Sequence, residues 1–210
     1  MAEIKKLELE FGNDSPFLIH TDLQVTDEKL QPIHPSFSKF IGINPHRSNA
    51  NNILVQNVVT GSTMLFNRKL ADLCHPIPNE ALMHDWWISI IAFTLGHVVY
   101  LNEATVDYRQ HESNVIGAKK WTVNPASLVN SAIRSIFSNR IQDVFEKSIN
   151  QAEKIRIHLT SKDPDFCNPT LNSFINLPNQ GWFAKRVSLI KNGFLKGKLI
   201  QNIGMILQKH

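Results

Sequence analysis

The sequence predicts an α/β domain followed by a helical region. An apolar segment that fits a buried strand is followed by further short strand patterns, which alternate with helical patterns. After Trp121, apolar residues recur mainly at helical spacing. We therefore expect an α/β domain over residues 1–121 and a helical C-terminal region over residues 122–210. The predicted strands are Phe17–Val25, Ser62–Phe66, Val98–Leu101 and Ala104–Arg109.

The predicted elements before residue 75 rest on local signals. A helix is expected over Ala2–Phe11, where Ile4, Leu7 and Phe11 share one side and Gly12 ends the pattern. The three prolines between Thr26 and Asn52 favour a loop with short helices. Short helices are also expected over Asn52–Val58 and Arg68–Cys74.

The segment Asp85–Leu95 is apolar on all sides, which predicts a helix buried on most of its surface. Gly96 is expected to end this helix in a left-handed conformation. The following strands are expected to be joined by a tight turn at Asn102-Glu103. Ser127–Leu159 is predicted to be helical, and the last thirty residues to form amphipathic helices broken near Gly193 and Gly197.

Composition indicates an ordinary globular protein, with 42% hydrophobic and 19% charged residues. Cys74 and Cys167 lie far apart without metal-ligand spacing, which favours a reducing compartment. The N-terminus has no signal-peptide pattern, and no apolar run approaches the roughly 18 residues of a spanning helix. These features predict a cytoplasmic protein.

The net charge of +4 is unevenly distributed. Residues 180–210 contain no acid and six basic residues, so the rest of the chain is net acidic. This pattern indicates a local basic surface and argues against a nucleic-acid-binding protein. A basic amphipathic helix could lie on an anionic membrane, or its apolar stripe could pack against the rest of the protein. The basic residues are Lys185, Arg186, Lys191, Lys196, Lys198 and Lys209.

The sequence MHDWW places Asp85 at the start of the predicted buried helix. Unpaired N–H groups and the helix dipole favour a carboxylate there, so Asp85 is expected to be either an N-cap or a general base in a cleft. Trp86 and Trp87 would form a wall for sugar stacking, or would be buried in the core.

Three other segments are candidates for chemistry. Arg109 and His111 lie at the end of a predicted strand, where they could bind a phosphate and a divalent metal, or could form a surface strand end. Gly61, in the segment Thr60–Thr63, would allow a ligand close to the backbone, or would be part of a plain turn. The polar triplet His20–Asp22 in the first strand could face a site, or could hydrogen-bond neighbouring loops.

Four segments in order together resemble bacterial family 2 glycosyltransferases, most closely the rhamnosyltransferase-like branch that builds surface polysaccharides. The resemblance covers residues 1–121 closely and the tail more loosely. It implies the GT-A fold, a nucleotide-binding α/β sandwich, and transfer with inversion in a single displacement. The segments are HTDLQVTDE, VQNVVTGSTMLFNRKL, MHDWWISIIAFTLG and YRQHESNVIGAKK.

The resemblance implies roles for individual residues. Asp85 matches the carboxylate that takes the proton from the acceptor hydroxyl, and His111 matches a histidine that joins the metal or the diphosphate. Residues matching a cover over the donor phosphates are Arg109, Gln110 and Lys119. Those expected to contact the acceptor are Thr60, Gly61, Ser62, His84, Trp86 and Trp87. The partners implied are a dTDP- or UDP-sugar donor and a glycan or lipid-linked acceptor.

The sequence departs from the family pattern at its start. Family members begin with a nucleotide-binding strand and reach an aspartate-rich DXD metal motif before the region that this chain resembles. Asp163-Pro164-Asp165 has similar lettering, but it lies in the helical tail and is interpreted as chance. We therefore expect an N-terminally truncated enzyme whose complete form uses Mg²⁺ or Mn²⁺, with no metal held by this chain alone. The alternatives are a non-catalytic remnant and a membrane-surface interaction module.

Overall fold

A computed structural model of the chain describes residues 2–110, 139–197 and 199–207. The described residues form a mixed α/β structure in which one sheet is covered by helices. The α/β class predicted from the sequence is therefore confirmed. The predicted division near residue 122 lies outside the described residues.

The sheet is organised around strand β1 (Phe17–Thr26), to which the other described strands pair. Strands β2 (Pro32–His34) and β3 (Met64–Phe66) run antiparallel to β1, and β4 (His97–Arg109) runs parallel to it. Because β4 follows β1 from Phe17 to Thr26, β2 and β3 share the opposite edge. The predicted strand segments thus lie in one sheet, except that the strand predicted over Ser62–Phe66 begins only at Met64.

Strand β1 is buried on both faces, as its apolar sequence predicts. Phe17 and Ile19 pack against helix α1 (Ala2–Phe11), while Leu18 belongs to the main core on the opposite face. Further along, Leu23 and Val25 pack against helix α2 (Phe37–Ile41). Gly12, with a φ of 81°, ends α1 where the sequence predicts it.

Three more helices complete the α/β part of the chain. Helix α3 (Ala50–Val55) contributes Ile53 to Val55 to the core, and α4 (Arg68–Cys74) has the predicted bounds. Helix α5 (His84–Leu95) is buried from Trp86 to Ala92, as its apolar surface predicts. Short 3₁₀ turns occur at Pro45–Arg47 and Gly61–Thr63.

Gly96 is needed for a different reason from the one expected. Its φ is −142°, so the left-handed conformation predicted for the end of α5 is wrong. A Cβ at this position would collide with the carbonyl oxygen of Pro16. Glycine is therefore required by the close approach of the chain just before β1.

Asn102 and Glu103 do not form the predicted turn. Strand β4 is continuous, and its register shifts where Thr21 pairs with Leu101 and Asp22 pairs with Ala104. The two polar residues are extra residues in a β-bulge, which interrupts the pairing without reversing the chain. In a single sequence, a pair of polar residues between two strand patterns is compatible with either a turn or a bulge.

The C-terminal helices complete the main core. Ala152 and Ile155 of α6 (Asn139–Lys162) belong to the same apolar cluster as Ile90 and Ile91 of α5. The observed helix confirms the later part of the predicted Ser127–Leu159 helix; residues 127–138 lie outside the described residues. The remaining helices are α7 (Pro169–Ile175), the 3₁₀ turn Leu177–Asn179, α8 (Trp182–Lys191) and α9 (Leu199–Leu207).

The break predicted near Gly193 and Gly197 separates α8 from α9, and Gly193 has a left-handed φ of 67°. Across the described residues, no helix combines the length and apolar character needed to cross a membrane.

We expect Phe174→Ala to lower the free energy of unfolding by about 3–5 kcal/mol, the usual cost of removing a buried ring. Phe174 is fully buried, with ring centroids 5.8 Å from Phe145 and 5.0 Å from Phe194. Phe183→Ala is the matched control, because Phe183 on α8 is 74% exposed. Urea unfolding should show little change for the control. Equal losses in the two variants would contradict the packing of α7 into the core.

Candidate functional site

Asp85 joins the start of α5 to a loop that lies 24–28 residues earlier in the chain. Its Oδ1 accepts a hydrogen bond from Nδ2 of Asn57 at 3.1 Å, and its Oδ2 accepts one from the backbone N–H of Gly61 at 3.1 Å. Met83, without a side-chain cap, occupies the N-cap position. The N-cap interpretation of Asp85 is therefore wrong, although the carboxylate still lies in the favourable first turn of the helix.

The loop that faces Asp85 has a defined shape. Oδ1 of Asn57 accepts the backbone N–H of Val59 at 3.1 Å, and Thr63 donates from both its N–H and its hydroxyl to the carbonyl of Thr60. A Cβ on Gly61 would lie 2.7 Å from Nε2 of His84, so glycine lets the imidazole approach the loop.

The structure thus gathers Gly61, His84 and Asp85, together with the flanking Thr60 and Ser62, as the sequence predicts for one site. Asp85 is half-buried, while His84 and Ser62 are exposed. This group is named the Asp85 site below. Sequence reasoning missed Asn57, whose only signal is that it precedes the Thr60–Thr63 segment.

Trp86 and Trp87 do not form a wall open to solvent. Their exposed fractions are 6% and 1%, and both belong to the main core. Nε1 of Trp86 donates to the carbonyl of Ile53 at 2.6 Å, and Nε1 of Trp87 donates to that of Cys74 at 3.2 Å. The expected sugar stacking is therefore replaced by the alternative, in which the two indoles anchor α5 to α3 and α4.

Arg109 and Gln110 lie at the far end of the sheet from the Asp85 site. Arg109 pairs with Thr26, whereas Met64, which follows the Thr60–Thr63 turn, pairs with His20. Six positions of β1 separate these levels, which corresponds to about 20 Å. The other residues predicted to bind metal and donor phosphate, His111 and Lys119, lie outside the described residues.

A second polar cluster surrounds Asp22, which is 5% exposed. Its carboxylate accepts five hydrogen bonds, from two hydroxyls, two backbone N–H groups and one phenol. The donors and distances are the hydroxyls of Ser36 at 2.5 Å and Ser38 at 2.8 Å, the N–H of Leu23 at 2.8 Å, the N–H of Ser38 at 3.1 Å and the phenol of Tyr100 at 3.2 Å.

These bonds decide the charge of Asp22. Burial alone would raise the pKa of its carboxyl, but the bonds from Ser36, Ser38 and the backbone more than offset burial and hold the pKa below its usual value. The cluster is therefore an ionised carboxylate whose acceptor positions are filled.

His20, next to this cluster, is held neutral. It is 1% exposed and its ring centroid lies 5.0 Å from that of Tyr100. Burial lowers its pKa from 6.5 to about 4, although the charge of Asp22 acts in the opposite direction. Within the His20–Asp22 triplet, Asp22 thus hydrogen-bonds neighbouring segments, as one of the two interpretations predicts, whereas His20 contacts the ring of Tyr100.

The two carboxylates differ in what they can do chemically. A carboxylate offers about four acceptor positions. Asp22 meets five donors and is buried, whereas Asp85 meets two and is half-buried. Only Asp85 keeps acceptor positions for the hydroxyl of a ligand, so it is the better candidate for proton transfer.

The residues that the structure describes include no group of three or more His, Cys, Asp or Glu side chains that could hold a metal ion.

Comparisons with protein-family models, curated proteins and solved structures gave no match for this chain.

We expect the free energy of unfolding to fall by up to about 3 kcal/mol as the pH is lowered from 6.5 to 4. In this window the unfolded chain binds a proton at His20, whereas the folded protein does not, so stability is full above pH 6.5 and lost on acidification. His20→Gln should flatten this part of the pH profile. His75→Gln, at an exposed histidine, should leave it unchanged, and the same slope in both variants would exclude His20 as its source.

Proposed function

We propose that this chain is the acceptor-side part of a glycosyltransferase of the GT-A fold. It would transfer a sugar from a nucleotide-sugar donor to a glycan or lipid-linked acceptor, with Asp85 as the general base. The observation that carries the proposal is the position of Asp85, a half-buried carboxylate fixed by two hydrogen bonds and not saturated by them. Its neighbours in space come from two of the segments that carry the resemblance.

The fixed carboxylate suits the proton transfer that such a reaction requires. As the acceptor oxygen bonds to the anomeric carbon, its proton must pass to a base, while the diphosphate leaves from the opposite side with the electrons of the broken bond. The hydrogen bonds from Asn57 and Gly61 would hold the carboxylate in a fixed orientation toward the acceptor. A divalent metal, where bound, would offset the charge that develops on the diphosphate.

A purely structural role for Asp85 is the competing interpretation. The same two hydrogen bonds attach the loop at residues 57–63 to α5. The structural and the catalytic role of Asp85 can be distinguished by a substitution that removes the charge of the side chain but keeps its shape. An amide in place of the carboxylate could still accept one of the two bonds, whereas it could not accept the proton.

We expect Asp85→Asn to reduce sugar transfer by a factor on the order of 10²–10⁴, the usual contribution of a general base. Transfer would be measured with the complete protein, labelled dTDP- and UDP-sugars and lipid-linked acceptors. Asp72→Asn is the matched control, because Asp72 carries the same charge in an exposed pair with Arg68. Asp85→Asn with full transfer activity would remove Asp85 from the mechanism. Absence of transfer by the unaltered complete protein with every donor would contradict the proposed function itself.

A second candidate function, attachment to an anionic membrane surface, is favoured by the outer face of α8. Phe183, Val187 and Ile190 are 74%, 46% and 58% exposed, and their spacing places them on one side of the helix. Leu189, on the opposite side, is 1% exposed and packs in the core. The part of the predicted apolar stripe that lies on α8 is therefore uncovered among the described residues, and the helix packs through a different residue, Leu189.

The charge around this face fits an anionic surface. No acid occurs between residues 180 and 210, and Lys191 at the end of α8 is exposed. Arg186 is 8% exposed and lies against the ring of Trp182, with its guanidinium carbon 3.8 Å from the ring centroid, so it adds no exposed charge to this face. Aromatic and basic residues on one short helix are typical of segments that lie in a membrane interface.

We expect Phe183→Ser to weaken binding to anionic vesicles by about tenfold or more, since burying a phenylalanine contributes about 1.5–3 kcal/mol. Leu9→Ser is the matched control, because Leu9 on α1 is 88% exposed but lies outside the basic region. Co-sedimentation with anionic and neutral vesicles measures the effect. Equal binding to the two vesicle types, or equal loss in both variants, would exclude α8 as the attachment surface.

A further inference from the structure

A cavity of about 430 Å³ lies between the region of α3 and the segment that connects α8 to α9. Its lining combines amide side chains, one hydroxyl and one lysine with two apolar residues, and it contains no acid. The lining residues are Asn44, Ser48, Asn52, Gln56, Val58, Leu195, Lys196, Gly197 and Asn202.

The walls of this cavity are fixed by side-chain amides that bind backbone atoms of the connecting segment. Nδ2 of Asn52 donates to the carbonyls of Gly193 and Leu195 at 3.1 and 2.9 Å, and Oε1 of Gln56 accepts the N–H of Gly197 at 2.8 Å. Asn51 donates in the same way to the carbonyl of Asn192. These three residues, Asn51, Asn52 and Gln56, are named the amide clamp.

The far wall is fixed locally. Asn202 of α9 accepts the N–H of Lys196 at 2.7 Å and donates to its carbonyl at 2.8 Å, which holds the backbone of Lys196 at the cavity. The cavity is thus a preformed space with two fixed sides.

Lys196 is one of the residues that line this space, and its side chain carries a positive charge. Burial lowers the pKa of its ammonium group, so the charged form lacks part of its solvation. None of the ion pairs between described residues includes Lys196. An anionic group of a ligand would supply the missing interaction and would favour the charged form.

The amide atoms of the lining residues that the clamp does not use can hydrogen-bond the hydroxyl groups of a ligand. The clamp uses Nδ2 of Asn52 and Oε1 of Gln56, which leaves the acceptor Oδ1 of Asn52 and the donor Nε2 of Gln56 in the lining residues. The hydroxyl of Ser48 can act as either donor or acceptor. Sugar hydroxyls also donate and accept, so they match a lining of this kind.

We propose that this cavity binds a small sugar that carries one phosphate group, with Lys196 contacting the phosphate and Ser48, Asn52 and Gln56 contacting the hydroxyls. A lining with one cation and several neutral polar groups fits a ligand with a single anionic end. The volume is within the range of small-molecule sites. The proposal concerns binding alone and does not depend on the function assigned to Asp85.

Calorimetric titration of the unaltered chain with glucose 1-phosphate tests the proposal, with inorganic phosphate and glucose as separate probes. We expect glucose 1-phosphate to bind most tightly. Lys196→Gln should weaken its binding by a factor on the order of ten or more, because a hydrogen bond to a charged group is lost. Lys191→Gln is the matched control. Lys191 is exposed on α8, so this substitution removes the same charge at a position outside the cavity.

A second variant keeps the test decisive if Lys196→Gln disturbs folding. Ser48→Phe should fill the cavity without removing a charge and should abolish binding. No saturation up to about 10 mM glucose 1-phosphate, a concentration well beyond ordinary small-ligand affinities, would overturn the proposal. Equal weakening by Lys191→Gln would overturn the site, and equal affinity for inorganic phosphate would overturn the role of the sugar hydroxyls.

Discussion

The structure depends on the position of β1 as the central strand of its sheet. The strand is paired with β4 along one edge and with β2 and β3 along the other, and helices cover both of its faces. A strand in this position is buried whatever its sequence, so its polar side chains must find partners inside the protein. His20 and Asp22 are therefore buried for a topological reason and not because a ligand requires them there.

Three of the five hydrogen bonds to Asp22 come from a segment that follows β2. The hydroxyl of Ser36 donates to Asp22 and accepts the backbone N–H of Lys39, so one atom serves the carboxylate and also caps α2. Tyr100 brings β4 into the same network. Three elements of the sheet region, β1, α2 and β4, are thus attached to one charge. The Asp85 site, in contrast, relies on two hydrogen bonds and remains open to further contacts.

Sequence patterns predicted what depends on local chemistry. The apolar runs of β1 and α5 gave their bounds to within one residue, and Gly12 marked the end of α1. Patterns failed where a distant segment decides the outcome. Glycine is required at position 96 because Pro16 lies close to it. Asn102 lies in a bulge because of how β4 pairs with β1. The hydrogen-bond partner of Asp85 comes from a loop far earlier in the chain. Trp86 and Trp87 were ambiguous for the same reason, because their neighbours on α3 and α4 are not visible in the helix pattern.

The side chains of the amide clamp hydrogen-bond the segment from Asn192 to Gly197 through its main-chain atoms alone. Every residue type carries these carbonyl groups, so most side chains in that segment can be exchanged without moving it. The exceptions are Phe194, which is fully buried in the core, and Gly193, whose left-handed φ of 67° favours glycine. Asn51, Asn52 and Gln56 have no such freedom, since few other side chains reach as far with the same donors and acceptors. Tolerance to substitution should therefore be strongly asymmetric across this contact, with a variable connecting segment docked on an invariant helix face.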